Sequence, residues 1–338
     1  MTTVKSGRVL VVGGYGAVGA TVAGTLGAWF PGRVVVAGRD GARALRLGGV
    51  RVDVTDPAGF GRALDDLGDV AAVVLCVEPP DAAVARACLG RGVHLVDVGA
   101  TRRLLDGVAE LQGAAVGRGA TAVLSVGVAP GLTNLLALRA HEAVGGAERI
   151  DLTVLLGAGE RHGADAVRWT VEHLAAPATA HPLRAELPGY GPRTAYPFPF
   201  SDQYTLPRTL GAARVTTRLC LDSRPLTSTL FALRRAARRP AVRRALTALF
   251  RRVHAGGDGF AVRADARRGD LHAAYALTGR AQGRVTGLVA AHVTRELLAG
   301  TLPAGVHHIE QLPALARLPE ALAGHGVAVR RLDDPPEG

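Results

Sequence analysis

Short apolar runs alternate with longer mixed stretches over roughly the first 143 of the 338 residues. Such runs are typical of strands buried on both faces of a parallel sheet, and the stretches between them have the length of crossover helices. The predicted strands are 9–12, 33–37, 50–54, 70–77, 93–96 and 121–126. The predicted helices are 17–29, 41–47, 57–66, 80–91, 102–117 and 132–143. This order predicts an α/β fold, a doubly wound parallel sheet with right-handed crossovers.

The rhythm changes after residue 147. A strand at 150–156 and a helix at 164–174 precede a proline-rich stretch, 177–211, that has no clear period. Beyond it we predict a strand at 215–221, a hairpin of 260–267 and 271–278, and a long helix at 284–299. The domain boundaries follow from this pattern. They are a sheet domain over 1–147, a second α+β domain over 148–283 inserted before a C-terminal helix and returning strand over 284–330, and a frayed tail over 331–338.

A glycine motif follows the first predicted strand directly. It reads Gly14-Tyr15-Gly16-Ala17-Val18-Gly19. In a strand–turn–helix context the first glycine permits a tight turn, the second lets a pyrophosphate approach the backbone, and the third allows close packing of helix on strand. The helix N-terminus adds unpaired N–H groups and a positive dipole end. We therefore predict a Rossmann dinucleotide-binding domain, rather than a glycine-rich turn that binds nothing.

The end of the second strand indicates which dinucleotide is bound. Arg39 lies where an arginine accommodates a 2′-phosphate, which favours NADP(H) over NAD. We interpret Asp40 as the N-cap of the following helix. In the alternative, Arg39 is only a surface residue and Asp40 holds the ribose hydroxyls of NAD.

Two further loops follow predicted strands at the edge where ligands of such sheets bind. Asp53, with Val54, either hydrogen-bonds the adenine or caps its own loop. Val77 and Pro79 are expected to lie along the nicotinamide ribose. Cys76 before them is interpreted as a core residue rather than a nucleophile, because nothing near it in sequence would lower its pKa.

Composition excludes several classes of protein. Hydrophobic residues make up 48% of the chain, yet no apolar run approaches the ~20 residues of a membrane span. The first apolar stretch is the cofactor strand, so we expect no signal peptide and a cytoplasmic location. Cys76, Cys88 and Cys220 lie far apart, as buried thiols in a reducing compartment do, and we predict neither disulfides nor a metal site.

The net charge of +11 is concentrated in one segment, 229–254, which has eight arginines and no acid. Val242, Leu246, Leu249, Phe250 and Val253 recur there at helical spacing. We interpret the segment as a packed helix with a solvated arginine face; the alternative is a helix that docks to a membrane or an anionic partner. Nucleic acid is not an expected partner, because no aromatic residues interleave with the arginines.

Three stretches resemble the saccharopine dehydrogenase family, the saccharopine reductase-like NADP-binding oxidoreductases. They are 9–19, the sequence Gly-Val-His-Leu-Val-Asp-Val-Gly at 92–99, and Gly-Val-Ala-Pro-Gly-Leu-Thr-Asn at 127–134. Residues 286–310 also resemble the C-terminal return of that family. The likeness covers about 1–140 well and 195–220 moderately. The family is broad, so the resemblance implies cofactor and fold more than substrate.

The resemblance implies that Asp97 and the loop after it, with Gly99, face the nicotinamide pocket. An ionisable group at the end of a buried strand is costly unless it is used or paired, which independently favours a role for Asp97. In the alternative, its carboxylate accepts backbone N–H bonds from the next helix. Pro130 and Asn134 open a second helix at the cleft, where Asn134 positions the nicotinamide amide or the substrate, or simply helps to start the helix.

Two polar loops of the second domain contain candidate proton donors. His162 and Tyr204 are the candidates there, beside Asp97. Adjacent His307 and His308 on an extended segment point to opposite faces, so a shared metal ion is not expected.

These features predict an NADPH-dependent reductase of a small imine or carbonyl substrate, in specialised biosynthesis and as a homodimer through the second-domain sheet. Two alternatives stay open. One is a non-catalytic NADP-binding protein that docks through the arginine-rich helix. The other is a reductase of an activated C=C bond.

Overall fold

The computed structural model describes residues 6–160, 164–177, 180–252 and 256–332. These residues form two compact units, the first comprising 6–131 with Thr286–Leu318 and the second Leu132–Val285 with 319–332. The domain boundaries predicted at 147 and 283 stay predictions, because compactness alone does not show which segments fold independently.

The first unit contains a seven-stranded sheet whose strands all run parallel. Its strands are β1 (Arg8–Val12), β2 (Val34–Gly38), β3 (Val50–Arg51), β4 (Val70–Leu75), β5 (His94–Asp97), β6 (Thr121–Leu124) and β13 (Gly305–His308). Their spatial order is β13-β6-β5-β4-β1-β2-β3, which is the doubly wound order extended by one returning strand. The predicted Rossmann arrangement and the returning C-terminal strand are therefore confirmed.

Helices connect these strands. They are α1 (Ala17–Trp29), α2 (Gly41–Arg46), α3 (Pro57–Leu67), α4 (Ala83–Leu89), α5 (Arg102–Ala109) and α6 (Gln112–Gly117), with α12 (Gln282–Leu298) leading to β13. Every residue of β4 is buried, as its unbroken apolar run predicts. The single helix predicted at 102–117 is wrong, because the Leu111 N–H bonds to the Val108 carbonyl three residues back and the chain turns there.

The second unit contains a mixed seven-stranded sheet of order β14-β12-β11-β7-β10-β9-β8. Its strands are β7 (Arg149–Leu156), β8 (Leu183–Leu187), β9 (Gly191–Pro197), β10 (Arg214–Leu221), β11 (Gly259–Arg268), β12 (Leu271–Arg280) and β14 (Ala328–Leu332). Its helices are α7 (Thr133–Ala143), α8 (Ala164–Leu174), α9 (Asp202–Leu210), α10 (Arg224–Ala232) and α11 (Pro240–Arg252), while the short α13 (Leu318–Ala321) spans the junction of the two units. The predicted α+β class and the β11–β12 hairpin are confirmed.

The stretch 177–211, which has no clear sequence period, contains β8, β9 and α9. Pro192 and Pro197 lie within β9, where proline cannot donate a backbone hydrogen bond to a neighbouring strand. Proline is therefore uncommon in strands, and its presence here hides the strand in the sequence pattern. Only two residue pairs join β9 to β10, a short pairing that prolines tolerate.

The arginine-rich segment forms α10 and α11 among the described residues. Leu246 is buried, but Leu249 is 51% exposed, so the predicted apolar face packs only in part. No helix of the described residues is long and apolar enough to cross a membrane.

Candidate active site

The turn after β1 is shaped by close backbone contacts. Gly13, which precedes the motif, is left-handed, with φ +77°, and Gly14, to which the motif assigns the tight turn, is not among the glycines with positive φ. Gly14 is required for another reason, because a β-carbon on it would lie 2.8 Å from the Val11 carbonyl oxygen. A β-carbon on Gly19 would come within 2.2 Å of the Gly13 carbonyl oxygen. The predicted close approach of helix and turn is therefore present.

Gly16 is the N-cap of α1 and makes no side-chain cap hydrogen bond. The first turn, which includes Ala17 and Val18, has no acidic residue. This turn therefore presents backbone N–H groups and the positive end of the helix dipole, and it has no carboxylate that would repel an anion. The glycine cradle and the helix start together fit a pyrophosphate.

Side chains at the end of β2 form a basic surface. The Asp40 side chain accepts a hydrogen bond from the Arg43 N–H at 2.9 Å, which confirms its predicted role as the N-cap of α2. Asp40 is therefore engaged in capping, while Arg39 is exposed. The Arg43 guanidinium lies 4.7 Å from the centre of the Tyr15 ring and also donates to the Tyr15 carbonyl at 3.0 Å. Sequence reasoning missed Arg43; its signal was its place one turn into α2.

The loop after β3 is closed by Asp53. Its Oδ1 accepts from the Thr55 N–H at 2.9 Å and from the Thr55 hydroxyl at 2.7 Å. The pKa of Asp53 is lowered by these bonds, backbone before side chain, and further by the positive charges of Arg39 and Arg51. Oδ1 of Asp53 therefore caps its own loop, which was the alternative to binding adenine. Contact of Asp53 or Val54 with adenine stays a proposal.

The loop after β4 packs against the glycine turn. A β-carbon on Gly13 would lie 2.6 Å from Cγ1 of Val77, so the two segments touch. Pro79 is buried beside an exposed Glu78. Burial raises the pKa of the Cys76 thiol to about 12 and the charge of Asp97 adds to the rise, in agreement with a structural cysteine.

Asp97 ends β5 and is fully buried. Its Oδ1 accepts from the Gly99 N–H at 2.7 Å, whereas its Oδ2 has no hydrogen-bond partner among the described residues. Burial raises the pKa of Asp97 to about 7; the Gly99 bond opposes this rise and the charge of Glu78 adds to it. The backbone alternative therefore accounts for one carboxylate oxygen and leaves the other available. A carboxyl group with this pKa exchanges a proton near neutrality.

Ser125 and His308 were not assigned as site residues from the sequence. The Ser125 Oγ lies 2.9 Å from Nδ1 of His308; Ser125 directly follows β6, and His308 ends the neighbouring strand β13. Nε2 of the preceding His307 lies 3.4 Å from the carbonyl oxygen of Ala304. The signal was the likeness of 286–310 to a C-terminal return, which brings this histidine pair to the sheet.

The segment between β6 and α7 carries Pro130 after a cis peptide bond and Gly131 at φ +132°. A β-carbon on Gly131 would lie 3.0 Å from the Ser125 carbonyl oxygen, so the chain turns tightly back on β6. The Val128 N–H reaches the Thr286 hydroxyl at 3.4 Å.

A buried polar cluster occupies the second unit. Asp202 is fully buried, accepts from the Thr217 hydroxyl and hydrogen-bonds Thr133. Burial raises the pKa of Asp202 to about 6, and these hydrogen bonds oppose the rise. The Thr133 hydroxyl lies 3.2 Å from Oδ1 of buried Asn134. Sequence reasoning named Asn134 but missed Asp202, because an acid opening a helix ordinarily faces solvent.

Tyr204 and His162 are the remaining predicted proton donors. Tyr204 is half-buried in the first turn of α9, where its N–H bonds to the Ser201 carbonyl at 2.9 Å. His162 lies outside the described residues. In the first unit, Asp97, Ser125 and His308 lie at the carboxyl ends of three neighbouring strands, and Ser125 contacts His308. Within the described residues no group of three or more His, Cys, Asp or Glu could hold a metal ion.

Comparison with solved structures identifies the fold. A DAP dehydrogenase of C. glutamicum in complex with DAP is 17% identical, with 96% of this chain and 99% of that chain covered and a TM-score of 0.51. An amine dehydrogenase from Mycobacterium smegmatis is 13% identical, with 91% and 96% covered and a TM-score of 0.47. The first likeness supports the α/β fold.

Comparison with sequences identifies one domain model that matches part of the chain. No curated protein matches the chain. Residues 9–123 match the family model described as the saccharopine dehydrogenase NADP binding domain. That span contains the glycine turn, the arginines after β2 and Asp97. Residues 9–123 are therefore similar to the saccharopine dehydrogenase NADP binding domain, and the resemblance and the NADP(H) cofactor predicted from the motifs are confirmed.

Proposed function

We propose that this protein is an NADPH-dependent oxidoreductase that reduces a small imine or carbonyl compound. The observation that carries the proposal is Asp97, a buried carboxyl group at the same sheet edge as the glycine turn, whose Oδ2 has no partner within the described part of the chain. In an open parallel sheet, ligands bind outside the carboxyl ends of the strands. A buried ionisable group there that keeps one oxygen without a structural partner is typical of a reaction site.

The residues present fit the dinucleotide. The turn from Gly13 to Gly16 and the start of α1 would hold the pyrophosphate, and Val77 and Pro79 would line the ribose beyond it. Bound NADPH supplies a hydride to an electrophilic carbon. The protein then has to orient that carbon, exclude water and manage one proton.

The preference for NADPH over NADH is part of the proposal. Arg39 and Arg43 extend from the end of β2 and the first turn of α2, where a 2′-phosphate lies in such domains. Asp40, the residue that could accept the ribose hydroxyls of NAD, has its Oδ1 engaged as a helix cap. A phosphate is therefore favoured at this position and a plain ribose is not.

Asp97 suits an imine better than a ketone. Its pKa of about 7 leaves a large ionised fraction near neutrality, and an ionised carboxylate favours an iminium cation that already carries its proton. The same group, when protonated, donates a hydrogen bond from Oδ2. Asp97 would thus orient the substrate and bias its charge. The predicted homodimer, the role in specialised biosynthesis, and contacts with Tyr204, His162, Gly99, Pro130 and Asn134 belong to the proposal in the same way.

A second candidate function rests on the arginine-rich segment. Leu226, Leu233 and Leu249 are exposed on α10, after it and on α11, beside several arginines. Exposed leucines next to cations suit docking to an anionic partner. This surface supports docking in addition to NADPH binding, and the two are separable by mutation.

The test is NADPH oxidation with three classes of probe: small ketones, 2-oxo acids supplied with ammonium, and preformed cyclic imines such as pyrroline. Turnover of an imine or carbonyl probe, abolished or strongly lowered in Asp97→Asn and kept in Asp106→Asn, supports the proposal. Turnover of enones alone would assign the enzyme to C=C reduction. NADPH binding without oxidation by any probe contradicts a reductase.

A further inference from the structure

One helix of the second unit turns polar side chains towards the interior. α9 packs against β10 and α7. Ser201 at its N-cap, and Asp202 and Thr205 near its start, are all buried. A helix at the surface of a globular protein ordinarily directs apolar side chains to the core and polar ones to solvent. The polar groups at the start of α9 are therefore held away from bulk water and need partners inside the unit.

The three side chains lie on one face of the helix. Ser201 already has helical backbone angles, with φ −67° and ψ −24°, and its carbonyl accepts from the Thr205 N–H at 3.0 Å. Thr205 is four residues after Ser201 and three after Asp202. These two spacings place side chains next to each other on a helix, with β-carbons about 5–6 Å apart. The three polar groups therefore start from neighbouring positions.

One oxygen of each side chain has no hydrogen-bond partner among the described residues. These oxygens are Oγ of Ser201, Oδ2 of Asp202 and Oγ1 of Thr205. The other carboxylate oxygen of Asp202, Oδ1, accepts from the Thr217 hydroxyl on β10, which fixes the orientation of the carboxylate. Buried polar groups of native proteins ordinarily bind protein groups or ordered water, because an unsatisfied one costs free energy. Three such oxygens within about one helical turn indicate a shared partner.

That partner is not a side-chain cation. Burial raises the pKa of Asp202 to about 6. Hydrogen bonds from Thr217, Thr133 and the Gln203 backbone oppose the rise, and no charged side chain of the described residues contributes. The carboxylate therefore needs a small group that donates hydrogen bonds and carries no charge of its own.

We propose that the second unit holds one internal water molecule between Oδ2 of Asp202 and the hydroxyls of Ser201 and Thr205. A buried water typically makes about three hydrogen bonds, which matches these three oxygens. It donates to Oδ2 and accepts from a hydroxyl, and with bonds of about 2.8 Å it joins oxygens up to about 5.5 Å apart. Cations that prefer oxygen, such as Ca²⁺ and Mg²⁺, take about six or more ligands, so three oxygens suit water better. This hydration site lies within the second unit, and it is independent of the proposed reductase function.

The first test compares the urea unfolding of Thr205→Val and Ser201→Ala with that of the wild type. Valine has nearly the shape of threonine, so Thr205→Val removes little except the hydroxyl. If the hydroxyl binds the water, its loss removes one of three partners, and each variant should raise the unfolding equilibrium constant about fivefold or more. A hydroxyl without a partner gives the opposite sign, because its removal relieves an unsatisfied group. A Thr205→Val variant as stable as the wild type, or more stable, therefore overturns the hydration site.

Thr153→Val is the matched control. The Thr153 hydroxyl is also buried without a partner among the described residues. Thr153 pairs with Arg218, the residue after Thr217, so it lies on the opposite face of the sheet from the Asp202 contact. Thr153→Val should therefore leave the urea midpoint unchanged or raise it. A loss equal to that of Thr205→Val would show that the effect is not specific to the hydration site, and would contradict it.

The second test is a high-resolution crystal structure of the full chain, with ¹⁷O relaxation dispersion of water in solution. We expect a water oxygen within about 2.7–3.2 Å of all three side-chain oxygens, and one long-lived water fewer in Thr205→Val. Hydroxyls turned onto protein carbonyls, with no water between them, overturn the proposal. A urea midpoint that rises in NaCl relative to choline chloride in the wild type, but not in Asp202→Asn, would identify a cation instead and also overturn it.

Discussion

Gly19 lies against Gly13 so closely that a β-carbon on Gly19 would be 2.2 Å from the Gly13 carbonyl oxygen. Since that oxygen belongs to the backbone, Gly19→Ala forces α1 away from the turn after β1. Overpacking of this kind costs about 1–3 kcal/mol. We expect lower stability in urea unfolding and at least tenfold weaker NADPH binding.

Gly24→Ala is the matched control, because Gly24 is exposed on the same helix with nothing within 4 Å of its β-carbon position. Alanine is the better helix former, so this variant should be more stable by about 0.5–1 kcal/mol with unchanged NADPH binding. Equal effects of the two substitutions would contradict a packing role for Gly19.

Asp97 makes stability fall as pH rises. Its folded-state pKa of about 7 lies above the ordinary value of 3.8, so the folded protein binds the extra proton between these values and stability declines across that window. Asp202 acts in the same direction, with a pKa near 6. We expect Asp97→Asn and Asp202→Asn each to flatten the decline in urea midpoints between about pH 4 and 7, whereas Asp106→Asn should not. An unchanged slope in both variants would refute burial of the two carboxyl groups.

Asp97→Asn also separates chemistry from binding. The asparagine amide keeps the shape of the aspartate side chain, but near neutral pH it neither ionises nor donates an acidic proton. We expect turnover of an imine probe to fall severalfold or more, and the dissociation constant for NADPH to stay within about twofold. Measured losses in NADPH affinity and kcat of the same size would indicate a structural role instead.

The surface arginines are expected to be dispensable for catalysis. Arg244 is exposed and Arg243 half-buried on α11. The double variant Arg243→Gln/Arg244→Gln should keep its folding and its NADPH oxidation, as measured by circular dichroism and absorbance. Binding of the wild type, but not the variant, to anionic vesicles would favour the docking function of this segment.

The first unit was predictable from sequence because its signals are local. A short unbroken apolar run such as β4, set between predicted helices, indicates a buried strand, and the predicted limits of α1 match the observed Ala17–Trp29. The glycine motif was identified, yet the left-handed turn belongs to Gly13, since motif spacing does not report backbone angles. In the second unit, β9 contains two prolines and its sequence has no clear period.

Residues of the candidate site were predictable only where a residue directly ends or follows a single predicted strand. Asp97 and Arg39 each follow a single apolar run and were found. Ser125 and His308 are 183 residues apart and meet only because β13 returns beside β6. The hydrogen bonds of Asp202 likewise come from Thr217 and Thr133, which belong to other elements of the fold. Long-range pairings of this kind leave no local pattern in one sequence.

The most direct measurement is a fluorescence titration of wild type, Arg39→Ala and Arg46→Ala with NADPH and NADH. A charge-assisted hydrogen bond to the 2′-phosphate contributes about 1.5–3 kcal/mol, so Arg39→Ala should weaken NADPH roughly 10- to 150-fold and leave NADH nearly unchanged. Arg46, exposed in the last turn of α2, serves as the control and should have no effect. Wild-type protein that binds NADH as tightly as NADPH, or an Arg39→Ala variant that binds both as before, would contradict an NADPH-dependent enzyme.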